Sequence, residues 1–397
     1  MVDGLKKFLR QESDYQWLSL FMFFLFVLGG AFAISVTGHF SGGKINTDEH
    51  SFSGMMVLDS AYTEDGDIVT FTFKPDFGYA LQWEDSAGVS SFLINPNNVA
   101  SGESLSMLKA LNDGSVIYSY MENSYFAATE QSTVPVLLQT PDNATFTTLD
   151  AQVDDGGNMM ILVSENSTRT IRGIQQGGSD TTYSLSVGST DDWRSIEHLD
   201  QDLWVISGVH RALDVSNPVS PITYLSVGIV KWDGIASNPP ELVSKSIFSK
   251  GQFHSAHKLD DGSVLIAGTA ELIAVHGKDS ILSYSVSSSI SITDGDTVWL
   301  FNDIETSQMT IYTDGDYEHR QLSMDLPLQP RSGGIHDSVI QLHGQNALGD
   351  EIVFSIDTSH DGSLQSGRGF LNAMFIFGSC VIFGVMFWNI ALVWKKY

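Results

Sequence analysis

A chain of 397 residues with a single cysteine, Cys380, forms no internal disulfide. Cysteine-based zinc sites, iron–sulfur clusters and c-type haem attachment are excluded with it. Proline is sparse, with ten residues in all, and Asn238-Pro-Pro is the one conspicuous break, so no proline-rich linker divides the interior. Positive charge is scarce too: 20 Lys and Arg stand against 47 Asp and Glu, for a net charge of −27. A field of that sign repels nucleic acid and anionic lipid surfaces, so neither is expected as a partner. The interior holds no long amphipathic helical pattern, and neither Ser164 nor Ser207 lies in a G-x-S-x-G setting.

Long apolar runs are confined to the two ends. Trp17 to Val36 and Gly369 to Trp394 are free of charge, and each reaches the ~20 residues that a helix needs to cross the hydrocarbon core. The layout expected is a cytoplasmic tail (1–16), a membrane helix (17–36), an extracytoplasmic domain (40–368), a second membrane helix (369–394) and a short cytoplasmic tail (395–397). Lys6, Lys7 and Arg10 precede the first run and Lys395 and Lys396 follow the second, whereas the inner flanks offer only Lys44 and Arg368. The positive-inside rule then puts both termini in the cytoplasm, with Trp17, Trp394, Lys395 and Lys396 at the membrane interfaces. Ala31-Phe32-Ala33 leaves a second reading open, a cleaved signal peptide, which would reduce two anchors to one.

Residues 40–368 carry all but three of the acids and all but five of the bases, so the outward domain is more acidic than the whole chain. Acidity together with a cysteine-free exterior suits a prokaryotic cell surface, an archaeal one included. Asn143 and Asn166 each open an N-x-T sequon and are candidates for glycosylation.

One pattern recurs through this domain: an apolar residue, a polar turn with Asp or Gly, then a short apolar strand. Clear copies are Leu111-Asn-Asp-Gly-Ser-Val-Ile-Tyr, Val153-Asp-Asp-Gly-Gly-Asn-Met-Met-Ile, Leu259-Asp-Asp-Gly-Ser-Val-Leu-Ile and Ile292-Thr-Asp-Gly-Asp-Thr-Val-Trp-Leu. Weaker copies start at Asp65, Leu199 and Leu348. Asp-Gly between apolar runs signals a hairpin, with glycine supplying the positive φ of a primed turn. The turn positions Asp65, Asp113, Asp155, Gln201, Asp261, Asp294 and Leu348 recur on average about every 47 residues, the length of a four-stranded propeller blade. The widest gap, Gln201 to Asp261, and the narrowest, Asp261 to Asp294, break the regularity. Asp233-Gly234 and Asp314-Gly315 read as hairpins within a blade.

The fold class expected is therefore all-β: a β-propeller of about seven four-stranded blades, flanked by one transmembrane helix at each end. The repeats resemble those of membrane-anchored β-propeller proteins as a broad class, although no Trp-Asp dipeptide closes each copy. Tandem β-sandwiches are the alternative architecture. Ring closure would bring the two ends of the domain together on one blade, so that both anchors leave side by side.

Two groups of residues are candidates for metal binding. Asp314, Asp316 and Glu318 follow one another at a turn and would suit Ca²⁺, although no segment matches the twelve-residue calcium loop. His254 and His257 stand three apart, which in a strand points them to opposite sides. No other cofactor is expected. The tails leave no room for a catalytic or signalling domain, so the expected role is a docking or accessory subunit of a cell-envelope complex, with membrane-protein partners. The alternative is a membrane-tethered hydrolase or transferase working at the mouth of the propeller channel.

Overall fold

A computed structural model describes residues 24, 43–46, 55–63, 66–74, 78–85, 90–94, 105–111, 113–120, 122–129, 132–137, 145–165, 168–177, 181–186, 190–213, 221–235, 237–322, 325–358 and 378. Lys44–Ile356 forms one compact unit; Met1–Gly43 and Asp357–Tyr397 belong to another, of which little is described. The stretches 17–36 and 369–394 lie outside the described residues apart from Phe24 and Gly378, each helical. Trp17, Trp394, Lys395, Lys396, Asn143 and Asn166 also lie outside them. Among the described residues no helix is long and apolar enough to cross a membrane.

The strands form seven four-stranded sheets, the blades of a propeller. Blade 1 comprises β2 to β5 (Met56–Tyr62, Ile68–Lys74, Gly78–Glu84, Ser90–Ile94). Blade 2 comprises β6 to β9 (Met107–Ala110, Val116–Ser119, Ser124–Thr129, Ser132–Leu137). Blade 3 comprises β10 to β13 (Phe146–Val153, Met159–Glu165, Thr168–Ile174, Thr181–Ser186), and blade 4 comprises β14 to β17 (Asp191–Asp200, Leu203–Ala212, Ile222–Lys231, Glu241–Lys250). Blade 5 comprises β18 to β21 (Phe253–Lys258, Val264–Gly268, Leu272–Gly277, Ser280–Tyr284), and blade 6 comprises β22 to β25 (Ile290–Asp294, Thr297–Phe301, Gln308–Thr313, Asp316–Gln321). Blade 7 joins β26, β27 and β28 (Leu328–His336, Val339–Asn346, Glu351–Asp357) to β1 (Gly43–Asn46), which lies beside β28 as the outermost strand. The first and last strands of the domain thus share one sheet, as ring closure requires. A tandem-sandwich arrangement is ruled out.

Within each blade the strands are called a to d, from the axis outward. Each a strand touches the a strands of both neighbours, from β2 through β6, β10, β14, β18, β22 and β26 and back to β2. The b strands are largely buried because blades stack face to face, and some read as unbroken apolar runs, as in Val264–Gly268, while others, such as Ile68–Lys74 and Val339–Asn346, carry interspersed polar residues. Outer strands meet water, and Glu241–Lys250 accordingly mixes polar and apolar residues with only partial burial.

Six apolar clusters bridge consecutive blades from 1–2 to 6–7. Phe71, Leu81 and Trp83 of blade 1, for instance, pack on Tyr118 and Phe126 of blade 2. The seam between blades 7 and 1 is built differently. Tyr62 covers Gly334 and bonds His343 at 3.1 Å, Arg331 donates to the Val57 carbonyl at 3.0 Å, and Gly66 lies against the His336 ring.

The antiparallel meander sends a–b and c–d turns to one face, and b–c turns and d–a connections to the other. The turns at Asp113, Asp155, Gln201, Asp261 and Asp294 are all a–b turns, and so is the one that follows Tyr62. The seventh copy needs correcting: Leu348 lies in the b–c turn of blade 7, and the a–b turn of that blade is Asp337-Ser338. Without the Asp-Gly pair, its two positive-φ residues carry no sequence mark. The widest spacing comes from blade 4, whose four strands are ten residues each, against five or six in blade 5.

Turn chemistry also differs from expectation. Leu111 N bonds Ser115 O at 2.8 Å and Gly114 N bonds Leu111 O at 2.9 Å, which closes a three-residue loop with glycine in the left-handed position. Leu259 to Ser263 repeats that geometry. The two-residue primed turn occurs at Asp314-Gly315, where both residues have positive φ, a hairpin within blade 6 as expected.

Candidate functional site

The a strands of blades 1, 3, 4, 5 and 7 share one irregularity. A bulge inserts Leu58, Leu149, Arg194, His254 or Arg331 opposite a regular b strand. Bulges re-aim side chains. The residues that follow, Asp59, Asp150, Ser195, Ser255 and Ser332, form one layer around the axis, and the next on the same side include Gln152, Glu197 and His257. Asp59, Asp150 and Ser255 stand equally far before their turn glycines Gly66, Gly157 and Gly262, so stacking the repeats on those glycines would have exposed this layer.

Blade 2 contributes Lys109. Its ammonium donates to Asp150 at 3.0 Å, to Glu197 at 2.7 Å and to the Ile196 carbonyl at 3.2 Å, tying blades 2, 3 and 4 together across the axis. Asp150 also accepts from Ser195 Oγ at 2.7 Å and from Ile196 N at 2.8 Å, while Gln152 donates to Glu197 at 2.9 Å. Burial works to lower Lys109, but the two carboxylates outweigh it and hold the ammonium above its ordinary range. Burial raises Glu197, with Lys109 pulling the other way.

His257 lies beside this network and bonds Ser291 Oγ at 2.7 Å. Burial, reinforced by the Lys109 charge, pushes its imidazole down to about 4. A base that weak is poorly matched to removing a hydroxyl proton at neutral pH. Asp150 and Glu197, for their part, are engaged by Lys109, Ser195 and Gln152, whereas Asp59 accepts from Ser60 N and is raised by burial to about 7.

A second polar group lies on the b–c face, between blades 3 and 4. Asp192 receives Arg169 at 2.6 Å, Arg211 at 2.7 Å and Arg194 at 3.1 Å. Its neighbour Asp191 pairs with Lys245 at 2.5 Å and His210 at 2.7 Å. Burial works upward on Asp192, but hydrogen bonds from Arg194 and Arg169 outweigh it and keep the carboxyl below its ordinary range. His254, at the start of β18, falls within the fields of Arg194 and Asp303; burial is the main cause of its lowered pKa. Its Nε2 is buried without a hydrogen-bond partner among the described residues.

The same face carries the three most exposed large apolar side chains among the described residues: Leu213 (81%), Ile304 (85%) and Leu348 (87%). All three lie in b–c connections, of blades 4, 6 and 7. The opposite face is lined by acidic turns, including Asp113, Asp154, Asp155, Asp260, Asp294 and Asp337. Strand β28 ends there at Asp357.

The metal candidates are not gathered. Asp314 sits in the c–d turn of blade 6, Asp316 starts β25, and Glu318 is ion-paired with Arg320. His254 occupies a bulge near Arg194 while His257 faces Ser291, so the two histidines serve different surroundings. Among the described residues no three His, Cys, Asp or Glu side chains stand close enough to hold a metal ion.

No family model and no curated protein matches the chain. Solved structures do. A catalytically inactive H270A virginiamycin B lyase from Staphylococcus aureus is 11% identical with a TM-score of 0.52, covering 79% of this chain and 99% of that one. The β-propeller domain of Cps50 (Swd1) from Myceliophteria thermophila is 8% identical with a TM-score of 0.53 and the same coverages. An S511A puromycin hydrolase is 11% identical with a TM-score of 0.52, covering 78% of this chain and 53% of that one. A lyase, a hydrolase and a further β-propeller domain share the architecture at these identities, so the likeness establishes the propeller fold and leaves chemistry to the residues.

Proposed function

We propose that this protein is a docking or accessory subunit of a cell-envelope complex, and that the b–c face of its propeller receives the partner. The observation that carries this reading is the placement of Leu213, Ile304 and Leu348, each more than four-fifths exposed, on three b–c connections of one face. Exposed apolar side chains scattered singly need no explanation, but concentration on one end of a propeller does, because that end presents loops on a rigid frame. Among the described residues the acidic turn face has no such side chains at its tips save the half-exposed Ile235. The apolar runs 17–36 and 369–394 support membrane anchorage, with the propeller outside the cell and both termini in the cytoplasm. Entry at β1 and exit at β28, neighbours in one sheet, suit a pair of adjacent anchors.

A hydrolase or transferase reading is less well supported. Asp150 and Glu197 are bound up with Lys109, and His257, on the Ser291 hydroxyl beside them, is too weak a base.

Purification of the tagged full-length protein from its native membranes in mild detergent tests the proposal. A stoichiometric membrane partner is expected with the wild type and is lost when Leu213, Ile304 and Leu348 are all changed to Ser, with the melting temperature unchanged. A partner retained by the triple variant, or a wild-type protein that purifies alone, overturns it.

A further inference from the structure

In a chain of net charge −27, Arg169, Arg194, Arg211 and Lys245 ion-pair, among the described residues, with two carboxylates, Asp191 and Asp192; His210 stands beside them and Asp303 acts on nearby His254. Arg194 and Arg211 both donate to the same oxygen, Asp192 Oδ2, at 3.1 and 2.7 Å, which holds two like charges close together. Arg211 is 53% exposed and Arg194 42%. A guanidinium offers five N–H donors in a planar fork, and each of these two spends one Nη on Asp192. Asp192 itself is buried and accepts Arg169 on its other oxygen, so it serves as the anchor that aims the forks rather than as a group that neutralises them. The buried, unpartnered Nε2 of His254 and the buried, unpartnered Nε of Arg169 lie beside the same cluster. Among the described ion pairs of this cluster, four cations share two carboxylates and leave guanidinium donors over.

We propose that Arg194 and Arg211, oriented by Asp192 and backed by Arg169, bind an anionic oxygen group, carboxylate, sulfate or phosphate, of the ligand that seats on the b–c face. Such a group accepts two parallel N–H bonds from a guanidinium fork and relieves the repulsion between the two arginines. The site confers selectivity on a strongly acidic molecule: an acidic partner repelled by the net field is attracted where these cations face it. This assignment rests on the docking reading for the identity of the face, and its test is independent of any partner protein.

The test is calorimetric titration of the full-length protein in detergent with inorganic sulfate, and separately with glutarate, at ionic strength matched with sodium chloride. Saturable binding of either anion is expected, and the anion that binds identifies the oxygen group. Arg194→Gln and Arg211→Gln are each expected to weaken it about tenfold or more, as loss of a charge-assisted bond should. Lys231→Gln, which removes an exposed lysine paired with Asp202 at the other end of blade 4, is the control and leaves binding as in wild type. Melting temperatures show that the variants fold, since both arginines are half in solvent. Absence of saturation with both anions, wild-type affinity in both arginine variants, or an equal loss in Lys231→Gln overturns the assignment. If the triple Ser variant at Leu213, Ile304 and Leu348 keeps its partner while the arginine variants lose sulfate, the docking reading fails and the anion site stands.

Discussion

Asp59 follows the bulge in β2, half-buried, and desolvation raises its carboxyl from the ordinary range to about 7, with the hydrogen bond from Ser60 N pulling against that rise. A carboxyl whose pKa is higher in the folded than in the unfolded chain stabilises the fold when protonated. Its contribution is therefore full below about 4 and is lost as pH rises through about 7. Asp59→Asn removes that dependence. The difference in stability between variant and wild type, measured by urea denaturation from pH 4 to pH 8, is expected to grow in favour of the variant. It should reach roughly 1–2 kcal/mol at pH 8, below the ~4 kcal/mol that three pK units would give in full, because Asp59 keeps partial contact with solvent. A difference that stays constant across the range sinks the argument. His257 works in the opposite direction, since a lowered imidazole destabilises the fold as pH falls from about 6.5 toward 4. None of these shifts is legible in the residues alone, because only packing decides how much water an aspartate or a histidine keeps.

Turns show where local chemistry suffices and where it does not. Asp-Gly pairs marked most of the a–b turns because glycine alone adopts positive φ without strain. Gly114 has φ +78 and open space around a hypothetical Cβ, so Gly114→Ala tests backbone strain by itself, at a cost of about 1 kcal/mol. Gly66 has φ +84, and an added Cβ would lie 2.4 Å from the His336 ring. Gly66→Ala is expected to cost about 2–3 kcal/mol, because overpacking joins strain. Adding His336→Ala should return the cost toward that at Gly114; urea midpoints of the three variants decide it, and equal costs at the two glycines would refute the steric reading. Blade 7 was misread for the same reason that the rule works elsewhere. Asp337 and Ser338 take φ of 49° and 62° without glycine, so the a–b turn was invisible and the glycine turn at Leu348-Gly349 stood in for it.

As a whole, the propeller closes unevenly. Among the described residues, apolar clusters join six of its blade interfaces, whereas the contacts at the seam between blades 7 and 1 include Tyr62, His343, Arg331 and two close-packed glycines. Polar contacts contribute less net stability than apolar burial, so the seam is expected to open before the apolar interfaces, despite the close approach of β2 and β26. Native-state hydrogen exchange is expected to show β2 and β26 losing protection before the a strands of blades 4 and 5, β14 and β18. Uniform protection of all a strands would contradict this. Lys109 reinforces the far side of the ring by joining three blades through one ammonium.

Blade size, blade number and the all-β class followed from the order of residues, because a turn and an apolar run are local, and a propeller repeats them at a nearly constant interval. The partnership of Lys109, Asp150 and Glu197, the gathering of Arg169, Arg194 and Arg211 on Asp192, and the sorting of Leu213, Ile304 and Leu348 to one face did not. Those residues lie in different blades or in separate strands of one blade, and they meet or align only when the meander fixes which strand ends share a face and the ring brings the blades together around one axis.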